Sequence, residues 1–225
     1  MHQIKQNLMN IIKILLKYGI TLVLLFVTVS CSSSLVNIAE TKKQLKKYYE
    51  TGQYDEDVKK IIRDAIADFK SMDIGKNSAV VFDVDETAIS NYEFSKSLDF
   101  GNDDAMWDEF MDKASAPAIP SVKDFYDFLI DRRIKVIFLT GRNYKHYAAT
   151  YKNLINAGYT KFDTLIVKSE IMIDTKTPDY KNVERFVLTE MGYNIIASIG
   201  DQQTDFSGDN TGLKIKLPNY LYLVE

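Results

Sequence analysis

Four carboxylates, a hydroxyl and a lysine have the types and placement to move a phosphoryl group. Asp83 and Asp85 lie in Asp83-Val-Asp-Glu-Thr87, where the apolar run that begins at Ser78 ends. Thr140 lies in Thr140-Gly-Arg142, directly after the run Ile134–Leu139. Asp201 and Asp205 lie in Gly200-Asp-Gln-Gln-Thr-Asp205, after the run Asn194–Ile199, and Lys181 sits at the start of a helical stretch before it. Brought together, the carboxylates would repel one another unless a cation neutralised them. A site of oxygen donors with neither His nor Cys suits a hard divalent ion, and Mg²⁺ is the expectation. Such an ion is usually held by one or two carboxylates plus a substrate phosphate. The Thr140 hydroxyl and a backbone N–H could hold phosphate oxygens, with Lys181 offsetting charge. That is the equipment of phosphoryl transfer, where positioning and charge neutralisation do most of the work. Taken singly, each residue has a plainer reading as a turn, cap or surface residue. Their joint order along one pattern favours the chemistry.

The elements that must position them alternate. Residues 37–72 read as helical, with Val58, Ile61, Ile62, Ala65, Ile66 and Phe69 on one buried face and Gly52 splitting the region in two. Ser78–Val84 is a short apolar run, as expected of a strand covered on both faces. Residues 92–120 are less regular, with Asp103–Lys113 helical around Met106, Trp107 and Phe110. Ser121 opens a helix with a capping-box pattern, Ser121-Val-Lys-Asp124. Ile134–Leu139 reads as the second strand, a helix from Tyr144 stops at Gly158, and Thr164–Val167 reads as the third strand. Pro178, as an N1 proline, begins a helix that ends at Gly192. Asn194–Ile199 and Leu213–Leu217 complete five strands. Strands alternating with helices imply an α/β, Rossmann-like parallel sheet with helices on both faces. In such sheets the site lies beyond the carboxyl ends of the strands, where all four carboxylates fall.

The first thirty residues stand apart from this pattern. They hold no acidic residue but carry Lys5, Lys13 and Lys17, and Gly19–Ser30 is an apolar stretch too short to span a bilayer. It ends at Cys31, the single cysteine, followed by three serines. A small residue directly before such a cysteine resembles a bacterial lipobox. On that resemblance 1–30 is a lipoprotein signal, Cys31 is lipidated, and 31–36 is a flexible tether to a domain spanning 37–225. This implies a bacterial cell envelope protein held outside the cytoplasm by its lipid. One cysteine excludes an internal disulfide and a thiolate zinc site. The net charge of −3 over 225 residues gives no basis for binding a nucleic-acid polymer. Without the signal the balance becomes 25 basic against 31 acidic residues.

Val80-Val-Phe-Asp-Val-Asp-Glu-Thr87 resembles the first signature of the haloacid dehalogenase (HAD) superfamily. Asp83-Val-Asp-Glu-Thr-Ala-Ile-Ser-Asn91 is similar to that of class C acid phosphatases and of the plant acid phosphatase and vegetative storage proteins. Phe138-Leu-Thr-Gly-Arg142, Tyr180-Lys181 with Arg185, and Gly200-Asp-Gln202 with Asp205-Phe206 resemble the later motifs of the same group. Lys168, which also follows a strand, is a rival to Lys181 and fits the motif less well. The resemblance implies an acid phosphatase acting on small phosphomonoesters. In it Asp83 is the nucleophile, Asp85 the general acid and then base, and Thr140 and Lys181 bind phosphate. Asp83, the Asp85 main-chain carbonyl and Asp201 hold Mg²⁺, with Asp205 either a ligand or one step removed. Residues 92–120 would fold over the site as a helical cap. There Tyr92, Phe94 and Trp107 could stack on a flat leaving group, a nucleobase or aryl ring, or merely pack the cap. Arg142 and Asn91 receive no role. Two other readings are a storage-type, ligand-binding surface lipoprotein and a receiver-like phospho-acceptor. Intact Asp83 and Asp85 disfavour the first, and the signal and Asp85 disfavour the second.

Overall fold

The computed structural model describes residues 5–14 and 35–224. Residues 5–14 are helical, while Gly19–Ser30 and Cys31, the expected leader core and lipidation site, lie outside the described residues. No helix among the described residues is long and apolar enough to cross a membrane.

Two helices open the remaining chain, α1 (Ile38–Glu50) and α2 (Gln53–Ser71). They are divided by Gly52, whose φ of 84° is a left-handed conformation that glycine adopts without strain. The rest runs β1 (Ser78–Phe82), α3 (Tyr92–Ser97), α4 (Asp104–Lys113), α5 (Pro120–Asp131), β2 (Lys135–Asn143), α6 (Tyr147–Asn156), β3 (Thr164–Lys168), α7 (Thr177–Glu190), β4 (Asn194–Gly200) and β5 (Leu213–Lys216). The five strands form one parallel sheet in the order β3-β2-β1-β4-β5. The chain steps outward from β1 to β3, then returns to place β4 on the other side of β1. That reversal opens a crevice at the carboxyl ends of β1 and β4, where open α/β sheets bind ligands.

Side chains alternate across the sheet. Val80, Phe82, Val136 and Phe138 join a core with α2 and α5, while Ala79, Val81, Ile137 and Leu139 pack with Tyr180 and Leu188 of α7. In β4 the alternation breaks. Ala79 pairs with Ile195 but Val80 with Ala197, so Ile196 is an extra residue, and Ile195 faces α7 while Ala197 and Ile199 face α2.

Three expectations need correction. The helix expected to start at Ser121 begins one residue earlier, with Pro120 in its first turn, N-cap Ile119 and no side-chain cap bond, so the capping box does not form. A proline's fixed φ favours that start. Residues 92–97 form a short helix that the sequence pattern did not show. Lys181 is not at the lip of its helix but in the second turn of α7, because the helix already starts at Thr177.

Phe125 of α5 is fully buried, with its ring 5.4 Å from Phe69 and 6.0 Å from Phe82. It joins both helices of that layer to the central strand. Phe125→Ala is expected to cost about 3–5 kcal/mol. In urea unfolding this appears as a lower midpoint at unchanged slope.

Candidate active site

Asp83 follows β1 directly, and its N–H still donates to Ile199 O of β4 at 3.0 Å, so strand pairing fixes where the carboxylate emerges. Asp201 follows β4 in the same way. Its Oδ1 accepts from the Thr87 hydroxyl at 3.1 Å, and its Oδ2 accepts from Gln202 Nε2 and Asn219 Nδ2, both at 2.6 Å. Asp205 stands in the 3-10 turn Gln203–Phe206, with Oδ2 accepting from the Gln202 N–H at 2.8 Å. One ligand atom from each of Asp83, Asp201 and Asp205 lies within 4.8 Å of the others, and all three residues are buried.

Lys181 reaches this group from α7. Its Nζ donates to Asp83 Oδ1 at 2.6 Å and Asp205 Oδ1 at 2.5 Å. Arg185, one helical turn on, lies on the same face. It donates through Nη1 to Asp205 O at 2.9 Å and through Nη2 to Ser207 O, which holds the turn that carries Asp205. Gly200 lets that turn close. A Cβ there would sit 2.1 Å from Asp205 Oδ2, nearer than any side chain tolerates.

The charges do not balance within the chain. Burial raises Asp83 well above the usual carboxylate range; Lys181 pulls it back, while Asp205, Asp201 and Asp85 push it further up. Asp201 is raised as well, by burial and by Asp205, against its amide donors. Burial opposes the charge on Lys181, yet Asp83 and Asp205 outweigh it and keep the ammonium charged. Among the described residues Lys181 is the only cation bonded within this carboxylate group, Arg185 and Lys216 reaching only the main-chain oxygens of Asp205 and Asp201, so a negative excess remains at the carboxylates themselves. Oxygen donors that can converge on one point, with that excess, fit a divalent cation. The buried Thr204 hydroxyl, without a hydrogen-bond partner, also lies on this cavity.

The cavity has a volume of about 600 Å³. Asp83, Asp85, Thr140, Lys181 and Asp201 all line it. Thr140 is buried, and its Oγ1 accepts from the Arg142 N–H at 3.2 Å. Asp85 takes both arms of the Arg142 guanidinium, with Nη2 to Oδ1 at 2.6 Å and Nε to Oδ2 at 2.9 Å. Burial works to raise Asp85, but Arg142 and Asn91 hold it below the usual range. Residues 92–113 supply the opposite wall through Phe94, Phe100, Asn102, Asp104 and Trp107. That segment is tied down on both sides, by Lys42–Asp99 at 2.7 Å and by His146–Asp108 at 2.9 Å.

Two sequence-derived candidates lie elsewhere. Tyr92, expected beside a leaving group, does not line the cavity. Its ring stacks on Tyr49 at 4.7 Å and its hydroxyl donates to Glu50, because the face of α3 that it shares turns towards α1. Phe94, two residues on, is the α3 aromatic that reaches the cavity with Trp107, their rings 5.3 Å apart. Lys168 ends the edge strand β3 beside Asn143, away from the cavity. Residues singled out by no sequence signal are Asn219, Leu221 and Tyr222, which complete the wall or hold Asp201 from an irregular segment.

A parallel sheet whose first strand delivers an aspartate to a lysine, beside two further aspartates at the end of β4, defines a HAD-type phosphatase. The match to the model of HAD superfamily subfamily IIIB (acid phosphatase) spans residues 27–225, and the chain belongs to that subfamily. It is 34% identical over 194 residues to a stem 28 kDa glycoprotein of Glycine max, covering 83% of this chain and 76% of that one. To acid phosphatase 1 of Solanum lycopersicum it is 30% identical over 191 residues, covering 82% and 75%. Its fold is that of the class C acid phosphatase from Bacillus anthracis, with a TM-score of 0.69 at 20% identity, covering 84% of this chain and 87% of that one. The chain is an acid phosphatase, a phosphomonoesterase.

Gly200→Ala tests the close approach of Asp205. The added methyl should push the carboxylate off Lys181 and the Gln202 N–H while leaving the far-UV spectrum unchanged. Affinity for a divalent cation, measured by calorimetry, is expected to fall by about 10-fold or more.

Proposed function

We propose that the protein hydrolyses phosphate monoesters with Mg²⁺ as its metal and with an aspartyl-phosphate at Asp83 as the intermediate. The observation that supports this reading most is Asp83 itself, buried at the end of β1, paired with Lys181 and lining the cavity. An Asp83 oxygen attacks phosphorus in line. The bond from phosphorus to the leaving oxygen breaks, and that oxygen keeps the electron pair and takes a proton from Asp85. Water then attacks the phosphorus of the aspartyl-phosphate, gives its proton to Asp85 and releases the Asp83 carboxylate. Lys181 orients Asp83 and, with Thr140, receives the phosphoryl oxygens. Asp83, Asp201 and the Asp85 main-chain carbonyl would hold Mg²⁺, with Asp205 either a direct ligand or one step removed. The ion supplies positive charge against the transferring phosphoryl group.

The cavity also suits a choice of leaving group. Phe94, Phe100 and Trp107 offer aromatic surface and Asn102 and Asp104 offer polar atoms, so aryl and nucleoside phosphates are the substrates of choice. Nothing in the geometry favours a storage role over catalysis, since Asp83 and Asp85 are both in place.

Asp83→Asn should lose p-nitrophenyl phosphatase activity by on the order of 10⁴-fold while remaining folded. EDTA should abolish the wild-type activity and added Mg²⁺ restore it. Undiminished turnover in the variant or in EDTA would overturn the mechanism.

We further propose that Cys31 carries lipid and anchors the enzyme to a bacterial cell envelope outside the cytoplasm. The support is the short apolar stretch and the small residue before the cysteine. Cys31→Ser should abolish palmitate labelling and move activity from the membrane to the soluble fraction. Labelling that survives the change would refute the anchor.

A further inference from the structure

The carboxylate of Asp85 is held more tightly than a residue free to swing between partners. An ionised carboxyl group offers about four lone-pair sites. Three of them are taken. Oδ1 accepts from Arg142 Nη2 at 2.6 Å and from Asn91 Nδ2 at 2.7 Å, which fills it. Oδ2 accepts from Arg142 Nε at 2.9 Å and keeps one site. The side chain is 16% exposed and lines the cavity, so the remaining site is within reach of a substrate.

Neither donor is loose. Arg142 is buried, with Nη1 donating to the Thr150 hydroxyl at 3.1 Å and its guanidinium 5.8 Å from the centre of the Trp107 ring. Asn91 is gripped by Glu86, which accepts the Asn91 N–H at 2.6 Å through Oε1 and the Asn91 Nδ2 at 2.9 Å through Oε2. Glu86 is buried with φ at 50°, a conformation costly for a residue with a side chain, and Oε2 also accepts from the Tyr222 hydroxyl at 3.2 Å. The strained residue next to Asp85 thus fixes one of its two donors, and the Arg142 fork fixes the carboxyl plane.

We propose that Arg142 and Asn91 are the positioning residues for proton transfer, making Oδ2 of Asp85 the atom that serves the leaving group and the attacking water. The inference rests on Asp85 being the acid and base. In the first half-reaction the Oδ2–H bond breaks and its proton joins the leaving oxygen as that oxygen departs from phosphorus. In the second, a water O–H bond breaks and the proton returns to Oδ2 as the water oxygen bonds to phosphorus. A lysine in place of Arg142 keeps the charge but loses the two-point fork that sets the orientation.

The test is leaving-group dependence in the Mg²⁺-loaded enzyme. It is read as kcat/KM, which reports the steps up to departure of the first leaving group. β-Glycerophosphate needs a proton for its alkoxide, whereas 2,4-dinitrophenyl phosphate releases a stable phenolate. Arg142→Lys should slow β-glycerophosphate by about 100-fold or more and 2,4-dinitrophenyl phosphate by less than about 3-fold. Asn91→Ala, a second variant should Arg142→Lys not fold, should show the same selectivity to a smaller degree. Asp85→Asn should be selective too, and adding Arg142→Lys to it should cost less than about a further 3-fold on β-glycerophosphate. If Asp85→Asn is selective but Arg142→Lys and Asn91→Ala slow both substrates alike, the positioning proposal is overturned while the acid–base reading stands. If Asp85→Asn itself slows both alike, the acid–base reading fails and the proposal with it.

Discussion

The site depends on one buried ammonium shared by two carboxylates. Lys181 lies 98 residues from Asp83 and 24 from Asp205 along the chain, yet its Nζ bonds to both. It therefore ties the end of β1, the turn after β4 and helix α7 into one unit. Removing it would leave three buried carboxylates facing one another, and an unpaired buried charge costs several kcal/mol. The surrounding polar contacts follow from that requirement. Arg185 holds the Asp205 turn, Gln202 and Asn219 hold Asp201, and Gly200 leaves room for the Asp205 carboxylate.

The same environment treats two neighbouring aspartates in opposite ways. Asp83, among carboxylates, is raised by burial, whereas Asp85, two residues on, is held down by Arg142 and Asn91. The backbone achieves this by sending the two side chains to different partners, one to α7 and the other to the end of β2.

Much of this was legible in the sequence for simple physical reasons. The central strands are continuous apolar runs because both faces are covered, and Gly52 divides two helices because its backbone turns left-handed. Asp83, Thr140 and Asp201 could be placed together because the carboxyl ends of parallel strands converge, whereas Lys181, on a helix, was singled out over Lys168 only by its motif. What stayed hidden was local. A short, mostly apolar run such as Asn194–Ile199 does not reveal the extra residue at Ile196 that reverses its facing. Helix α3 has six residues, too few for a periodic signal, so nothing distinguished Tyr92, which packs, from Phe94, which lines the cavity. Arg142 stood in view within its triplet, but its fork onto Asp85 required the fold, as did the contribution of Asn219 and Tyr222.

The strand order carries a kinetic consequence. Because β1 sits between β2 and β4, the first aspartate waits for a strand more than a hundred residues later, and Thr87 finds Asp201 across 114 positions. Long-range parallel pairing of this kind is slow to form, since loop closure must precede any gain from contact. An intermediate that has assembled β1, β2 and β3 would bury much of one core and still lack two of the three clustered carboxylates. Recovery of activity during refolding should therefore trail the recovery of helical signal, so that turnover reports completed topology rather than mere collapse.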